Sequence, residues 1–304
     1  MELRPGWYVV AEESELAPRK PNALRRYGID WVLWRNSEGQ WVLQEDRCPH
    51  RSARLSLGKI VDDSVACPFH GFQFDSEGRC KYAPEIRRDA PGLKVRTFTL
   101  RAFQGFLWVN WDIPAETPLP WFPELPGTCT GTEDRVDWPQ HYTRCIENQL
   151  DHAHLPFVHA TSIGRGQAPD RKAHLAADAQ GLHITFQDGP EPKTGFSLLF
   201  PGSWRLRIND KMMPFIAFVP VDETNTRIYL RTYQAHVTVP GLSWVAGKIM
   251  AFFNRIVLNQ DRRVVLDQRP MNVLQANEER LFPSDEAIRA YRKWLRNEKQ
   301  SAAI

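Results

Sequence analysis

Residues 48–71, CPHRSARLSLGKIVDDSVACPFHG, hold two Cys and two His in two mixed pairs, Cys48-x-His50 and Cys67-x2-His70. A zinc finger sets its two Cys in one short pair and its two His in another, whereas here each arm supplies one thiolate and one imidazole. That donor set is a metal site. Mixed arms suit a two-iron cluster in which Cys48 and Cys67 hold one iron and His50 and His70 hold the other. A zinc ion on the same four ligands is an alternative that the residues alone leave open. A Cys48–Cys67 disulfide is a second alternative, and the cysteine count speaks against it. Five Cys, an odd number, and no secretory signal in MELRPGWYVV suit reduced thiols in a cytoplasm. Cys80, Cys129 and Cys145 are left as small core residues.

Working outward, short β-branched and aromatic runs surround the two arms, at residues 6–11, 30–34, 40–44, 72–74, 80–82, 93–99 and 105–111. The loops Arg35-Asn36-Ser37-Glu38-Gly39 and Asp75-Ser76-Glu77-Gly78 put Gly where a positive φ is wanted, so the runs pair as hairpins of an antiparallel β domain. The spacing of the arms, with sixteen residues between them and Pro49, Pro68 and Gly71 at the tips, resembles the Rieske [2Fe–2S] motif. Rieske ligand arms are hairpin loops, so the resemblance covers residues 1–125 as a domain. It implies a potential of roughly −150 to +300 mV, because imidazole in place of thiolate removes negative charge. Trp or Tyr usual near the second arm is replaced by Phe69 and Phe72, which makes the shell around the sulfurs less polar. Arg51, Arg54 and Lys59 near the tips could dock an acidic ferredoxin or reductase, or be an ordinary solvated surface.

A chain of 304 residues, 42% hydrophobic and 25% charged, is long enough for two compact domains and is not disordered. The net charge of +3 comes from 39 basic and 36 acidic residues that are well mixed, which gives no footprint for nucleic acid. The longest apolar stretch, residues 242–258, is broken by Lys248, Asn254 and Arg255 and falls short of the ~20 apolar residues that span a bilayer, so no membrane span is expected. Residues 112–139 carry Pro114, Pro118, Pro120, Pro123, Pro126 and Pro139 with few periodic apolar positions, and are expected to be the linker before a second domain, 126–304.

The second domain opens on Glu147-Asn-Gln-Leu-Asp-His-Ala-His-Leu-Pro-Phe-Val-His159. The periodicity predicts a helix over 143–154 with Ile146, Leu150 and Ala153 on its apolar stripe, and puts Asn148, Asp151 and His154 on one face. Pro156 bends the chain after it, so that His159 comes round to meet His154. A lone His would be a core residue; two converging on an Asp point to a metal. The stretch resembles the mononuclear-iron motif D-x2-H-x4-H of the Rieske non-haem iron oxygenases. By that resemblance His154 and His159 bind Fe(II), Asp151 carries the electron path, Asn148 lies close to the metal, and His152 is no ligand.

A third ligand is sought on a long helix predicted over 244–267. Asp261 stands three and four residues from Val257, Leu258, Val264 and Val265, and a carboxylate in an apolar stripe needs a neutralising partner, either a metal or a buried Arg. Asp267 follows Arg263 by four and is a surface ion pair. The family's third ligand lies in a QD or ED step, which Gln260-Asp261 matches. Strands are expected at 174–186, 196–200, 204–208, 213–219 and 227–237, and a last helix at 284–298 with Ser284 as N-cap and Ile288, Tyr291 and Trp294 on one face.

The resemblance implies an α+β chain: an antiparallel Rieske domain, then a START-like helix-grip catalytic domain with an apolar cavity over the iron. Phe157, Phe196, Leu198, Met212, Met213 and Phe215 are candidates to line that cavity. It also implies an oxygenase of the aromatic-ring-hydroxylating α-subunit type that takes O2 and an apolar, aromatic or polycyclic substrate. No GxGxxG and no second ferredoxin motif is present, so electrons from NAD(P)H must come through a separate ferredoxin or flavin reductase. The short single chain and the N-x2-D spacing resemble the vanillate and dicamba demethylase branch. That branch implies monooxygenation, by hydroxylation or oxidative demethylation, and a homotrimer in which Asp151 joins His154 to His70 of the next chain. The rival readings are a cis-dihydroxylating dioxygenase and a non-catalytic Rieske protein that transfers electrons or binds a ligand.

Overall fold

The computed structural model describes residues 3–126, 129, 131–186 and 194–301. They divide into two compact units, Met1–Pro118 and Leu119–Ile304.

The first unit contains β1 (Gly6–Glu12), β2 (Asn22–Arg26), β3 (Ile29–Arg35), β4 (Trp41–Glu45), β5 (Lys59–Val61), β6 (Ser64–Ala66), β7 (Gln73–Phe74), β8 (Cys80–Tyr82), β9 (Thr97–Phe98), β10 (Leu100–Phe103) and β11 (Phe106–Trp111). They pair antiparallel into three small sheets, β1-β11-β10, β2-β3-β4-β9 and β5-β6-β7-β8. The predicted hairpins form. In the second of them, Asp75 Oδ1 accepts the amides of Glu77 and Arg79 at 3.1 and 2.8 Å, and Gly78 turns with φ +78 where a Cβ would sit 2.1 Å from the Val95 carbonyl oxygen. The β5–β6 hairpin was not foreseen: Asp62 and Asp63 both take positive φ without a glycine, the backbone of a primed two-residue turn. Val32, Trp34, Leu55, Val65 and Phe74 close a core that also contains Cys48 and Cys67. Each large side chain buried there contributes about 1.5–3 kcal/mol, which fixes the two loops that carry the thiols.

The second unit contains β12 (Asp134–Trp138), α1 (Tyr142–Leu150), α2 (Leu155–Val158), β13 (His174–Ala177), β14 (Gly181–Thr185), β15 (Gly195–Leu199), β16 (Ser203–Arg207), β17 (Met212–Pro220), β18 (Thr226–Gln234), α3 (Leu242–Val265) and α4 (Glu286–Ser301). A seven-stranded antiparallel sheet runs β12-β18-β17-β16-β15-β14-β13. The expected strand 174–186 is a hairpin. Strand β12 lies within the stretch expected to be linker; it pairs with β18 and closes the sheet's edge. The α+β class holds.

Alternation along the strands sorts side chains between the two faces of the sheet. Phe196, Leu198, Trp204, Ile216, Phe218, Ile228 and Leu230 pack with Ile146 and Leu150 of α1, Leu258 of α3 and Tyr291 of α4. Met213 and Phe215, expected over the iron, fall on the opposite face; the Phe215 ring packs against Trp121 and Phe122 at centroid distances of 4.8 and 6.4 Å. Phe157 is exposed on α2. At α4, residues Pro283–Asp285 form a 3-10 turn before the helix proper, and Asp285, not Ser284, accepts a backbone amide there, from Phe282 at 2.7 Å.

Helix α3 is apolar on two sides. Ser243, Gly247, Leu258, Asp261 and Val265 are buried, whereas Leu242, Val245, Ile249, Phe252, Phe253 and Ile256 are exposed. No helix among the described residues is long and apolar enough to cross a membrane.

Candidate metal centres

The two arms of the first unit are built alike. In one, Cys48 N–H donates to Ala53 O and Ser52 N–H to Cys48 O, both at 2.8 Å; in the other, Cys67 N–H donates to Phe72 O at 2.8 Å and Gly71 N–H to Cys67 O at 3.0 Å. Each Cys is thus held by its own loop, and Gly71 supplies the positive φ (+74) that the second closure needs. The His50 and His70 rings meet edge to face with centroids 4.7 Å apart.

Cys48 and Cys67 are buried free thiols. Burial pushes the Cys48 thiol up, and the Cys67 sulfur beside it adds to the effect, bringing it to about 11. Two adjacent buried thiols, and a buried His50 Nδ1 without a hydrogen-bond partner, are the residues of a site that cationic metal completes by drawing off the thiol protons. The donor set therefore fits a two-Cys, two-His cluster. The Phe69 and His70 rings are tilted by 38° with centroids 3.9 Å apart, and the Arg51 guanidinium lies 5.3 Å from the Phe69 centroid. Arg54 lies within 4 Å of Asp30 and Asp46, so part of the basic tip surface is neutralised internally.

The second centre is assembled by a break in the chain. Helix α1 ends at Leu150, so the helix predicted to residue 154 is shorter than its periodicity suggests. Asp151 takes extended backbone (φ −88, ψ 129), and its Oδ1 accepts the Ala153 amide at 2.7 Å. An Asp side chain that bonds the backbone two residues on competes with the helical ladder, and here it wins. His154 then stands at the N-terminal cap of α2, Pro156 sits in the first turn where its missing N–H costs nothing, and His159 caps the other end. The chain returns sharply at Gly164, where a Cβ would lie 1.8 Å from the Leu155 carbonyl oxygen. Helix α1 is itself anchored by buried charges: Arg292 of α4 bonds Glu147 at 2.5 and 2.9 Å, and Arg144 reaches Glu279 at 2.6 Å.

His154, His159 and Asp261 converge, with one ligand atom from each lying within 4.8 Å of the others. Asp261 Oδ1 is 2.9 Å from His159 Nε2 and 3.5 Å from His154 Nε2, yet it is buried with no hydrogen-bond donor. Burial would raise the Asp261 carboxyl, but the two imidazoles hold it below its ordinary value. Burial likewise opposes a proton on His154, but the carboxylates of Asp151 and Asp261 push it up to about 9. A buried carboxylate oxygen facing two imidazole nitrogens asks for a cation between them, and a 2-His-1-carboxylate set suits Fe(II).

Around these three, Asp151 Oδ2 lies 3.4 Å from His154 Nδ1, and Asn148 carries a buried Nδ2 without a hydrogen-bond partner. Gln149 Nε2 approaches Asp261 Oδ2 at 3.5 Å. His152 points elsewhere, its Nε2 2.9 Å from Arg171 O, and borders a cavity of about 570 Å³ whose lining does not include the three converging residues. Asp267 is exposed. Sequence reasoning missed Gln149 and Ser162, for which no spacing gives a signal, and gave Gln260 no task beyond marking its neighbour.

Residues 6–102 match the family model described as Rieske [2Fe-2S] domain, and residues 201–298 match that of the vanillate O-demethylase oxygenase C-terminal domain. The chain belongs to the Rieske non-haem iron oxygenases. The cofactors of this family member are accordingly a Rieske-type [2Fe–2S] cluster and a mononuclear iron. Among its relatives, chlorophyllide a oxygenase of Chlamydomonas reinhardtii is 29% identical over 96% of this chain and 48% of its own length. The 4beta-methylsterol monooxygenase of Methylococcus capsulatus is 28% identical over 83% of this chain and 73% of its own. The chain thus spans about half the length of the first of these relatives. The crystal structure of dicamba monooxygenase bound to dicamba superposes with a TM-score of 0.81 at 21% identity, covering 99% of both chains, which shows the shared fold.

Proposed function

We propose that this Rieske oxygenase is the terminal component of a monooxygenase system that hydroxylates or oxidatively demethylates an apolar, polycyclic or aromatic small molecule. Cys48, His50, Cys67 and His70 are the cluster ligands in this reading, and His154, His159 and Asp261 the iron ligands. When bound, such a cluster relays single electrons and such an iron activates O2. The chain's own residues then have definite tasks. Cys48 and Cys67 would lose their thiol protons to solvent as they bind iron as thiolates, and burial of both sulfurs keeps water from them. Asp261 supplies the charge that holds a divalent cation against two neutral imidazoles, while Asp151 orients the His154 imidazole from behind. Electrons originate with NAD(P)H and arrive through a separate ferredoxin or flavin reductase.

One observation carries the reading: Asp261 Oδ1 lies 2.9 and 3.5 Å from the two histidine nitrogens with no proton donor of its own. Relatives named for a methylsterol and a chlorophyllide support a polycyclic, water-insoluble substrate. A homotrimer, with Asp151 of one copy bonded to His70 of a neighbouring copy, is part of the proposal. It is supported by Asp151 and His154 side chains that stay 26% and 15% exposed while His159 and Asp261 are sealed.

The test is iron content and isotope fate. Purified chain should hold about three Fe, two in the cluster and one mononuclear, and a substrate converted under 18O2 should carry one labelled atom. Two Fe per chain would reduce the protein to an electron carrier, and a diol with two labelled atoms would make it a dioxygenase.

A further inference from the structure

His159 is flanked at both ring nitrogens by two adjacent residues of α3. Its Nε2 lies 2.9 Å from Asp261 Oδ1 and its Nδ1 2.8 Å from Gln260 Oε1. Neighbouring residues on a helix point about 100° apart, so a Gln-Asp step can straddle an imidazole that enters between the two side chains. The Gln260 amide is itself fixed. The Ser162 hydroxyl donates to the same Oε1 at 2.7 Å, and Gln260 Nε2 donates to Thr161 Oγ1 at 3.4 Å. With a hydroxyl proton on its oxygen and its NH2 turned to Thr161, the amide presents only an acceptor to His159. An acceptor there requires the ring proton on Nδ1 and leaves the Nε2 lone pair free, on the side of Asp261.

The two histidines differ in this respect. Behind His154 stands a carboxylate, Asp151; behind His159 stands a neutral amide. An outer carboxylate raises the basicity of an imidazole more than an amide does, because it carries full charge.

We propose that Gln260, locked by Ser162, is a positioning residue that fixes the Nε2-ligating tautomer and ring angle of His159 without adding charge behind it. The proposal rests on His154, His159 and Asp261 being the mononuclear metal site. It assigns a reason to the Gln at this step that ligation by Asp261 does not supply.

The test uses the full chain with its cluster intact and its mononuclear site emptied, titrated with Co2+ alone and followed by the ligand-field absorption of the bound ion. Wild type should bind one Co2+, and His159→Ala should not. Gln260→Leu removes the acceptor and should weaken Co2+ binding about 10–100-fold, the usual effect of losing an outer-shell partner. Gln260→Glu restores an acceptor and should recover the affinity to wild type or better, with a shifted ligand-field band from the added charge. Ser162→Ala should fall between wild type and Gln260→Leu. The cluster's visible spectrum reports folding of the first unit, and far-UV circular dichroism with thermal melting that of the second, which contains the substitutions. If Gln260→Leu bound within twofold of wild type, or if the Leu and Glu variants lost Co2+ equally, the positioning role would be overturned. Failure of wild type to bind Co2+ would instead overturn the metal-site reading beneath it.

Discussion

Asp151 Oδ2 lies 3.4 Å from His154 Nδ1 across the interruption between helices α1 and α2, not along a helical turn. The Asp spends one oxygen on the Ala153 amide and turns the other to the imidazole, so the same side chain ends α1 and faces His154. The two tasks separate in Asp151→Asn, which keeps an acceptor for the Ala153 amide but loses the charge. The mutant should load both metal centres and accept an electron at the cluster, yet cluster oxidation by substrate and O2 in a single turnover should slow by orders of magnitude. Loss of the mononuclear iron would mean that Asp151 serves only its own chain.

That segment also measures what the sequence could tell. The spacing of Asn148, Asp151 and His154 predicts one face of an unbroken helix, whereas the helix ends at Leu150 and Asp151 is extended. Side-chain competition for the Ala153 amide is a local event that a 3.6-residue period cannot register. The Rieske arms were legible because ligand identity and spacing are written directly in the chain. Helix α3 was legible in position and in its buried Asp261, because a lone carboxylate on an apolar stripe stands out. Which face of the central sheet meets the helices was not legible: Met213 and Phe215 are as hydrophobic as Ile216 and Phe218, and only the packing of Trp121 and Phe122 decides between them. The outer residues Phe252 and Phe253 of α3 mislead in the same way, being apolar but exposed.

Asp261 and Asp267 share a helix-end stretch but not an environment. Asp261→Ala should strip the mononuclear iron and abolish turnover, with the cluster spectrum unaltered because the two centres share no ligands. Asp267→Ala, at an exposed position, should retain iron and activity within about twofold, as surface changes usually do. Iron analysis of the two purified variants checks this directly, and a reversed pattern would move the third ligand to Asp267.

Replacing His70, proposed as a ligand at the other centre, should change potential without emptying it. His70→Cys adds thiolate charge to one iron of the cluster, so its potential should fall from the Rieske range toward the ~−400 mV of all-Cys ferredoxins. Protein-film voltammetry would follow the shift. Iron in the mononuclear site should stay bound while turnover drops, since the reduced cluster would no longer be filled by the same donor. A potential unmoved by the substitution would remove His70 from the ligand set.

The last prediction concerns the buried charges under α1. Arg292 is 4% exposed and donates to Glu147 at 2.5 and 2.9 Å, with Arg144 as a second neighbour of the same carboxylate at 3.2 Å. Burial raises the Glu147 carboxyl against the pull of Arg292 and Arg144, so its ionised form depends on them. Arg292→Met leaves that carboxylate buried with one guanidinium instead of two, and breaking a buried pair in this way costs about 3–5 kcal/mol. Glu147→Gln should cost less, because an amide still accepts from Arg144 and asks for no counter-charge. The double variant, Arg292→Met with Glu147→Gln, should be more stable than the sum of the two losses predicts, by at least about 1 kcal/mol, since the second change removes the charge that the first left exposed to an apolar interior. Urea unfolding of the three variants measures the coupling. Strictly additive losses would show that Arg292 acts through its stem and its bond to Glu279 at 2.6 Å, and that its pairing with Glu147 contributes nothing to the position of α1.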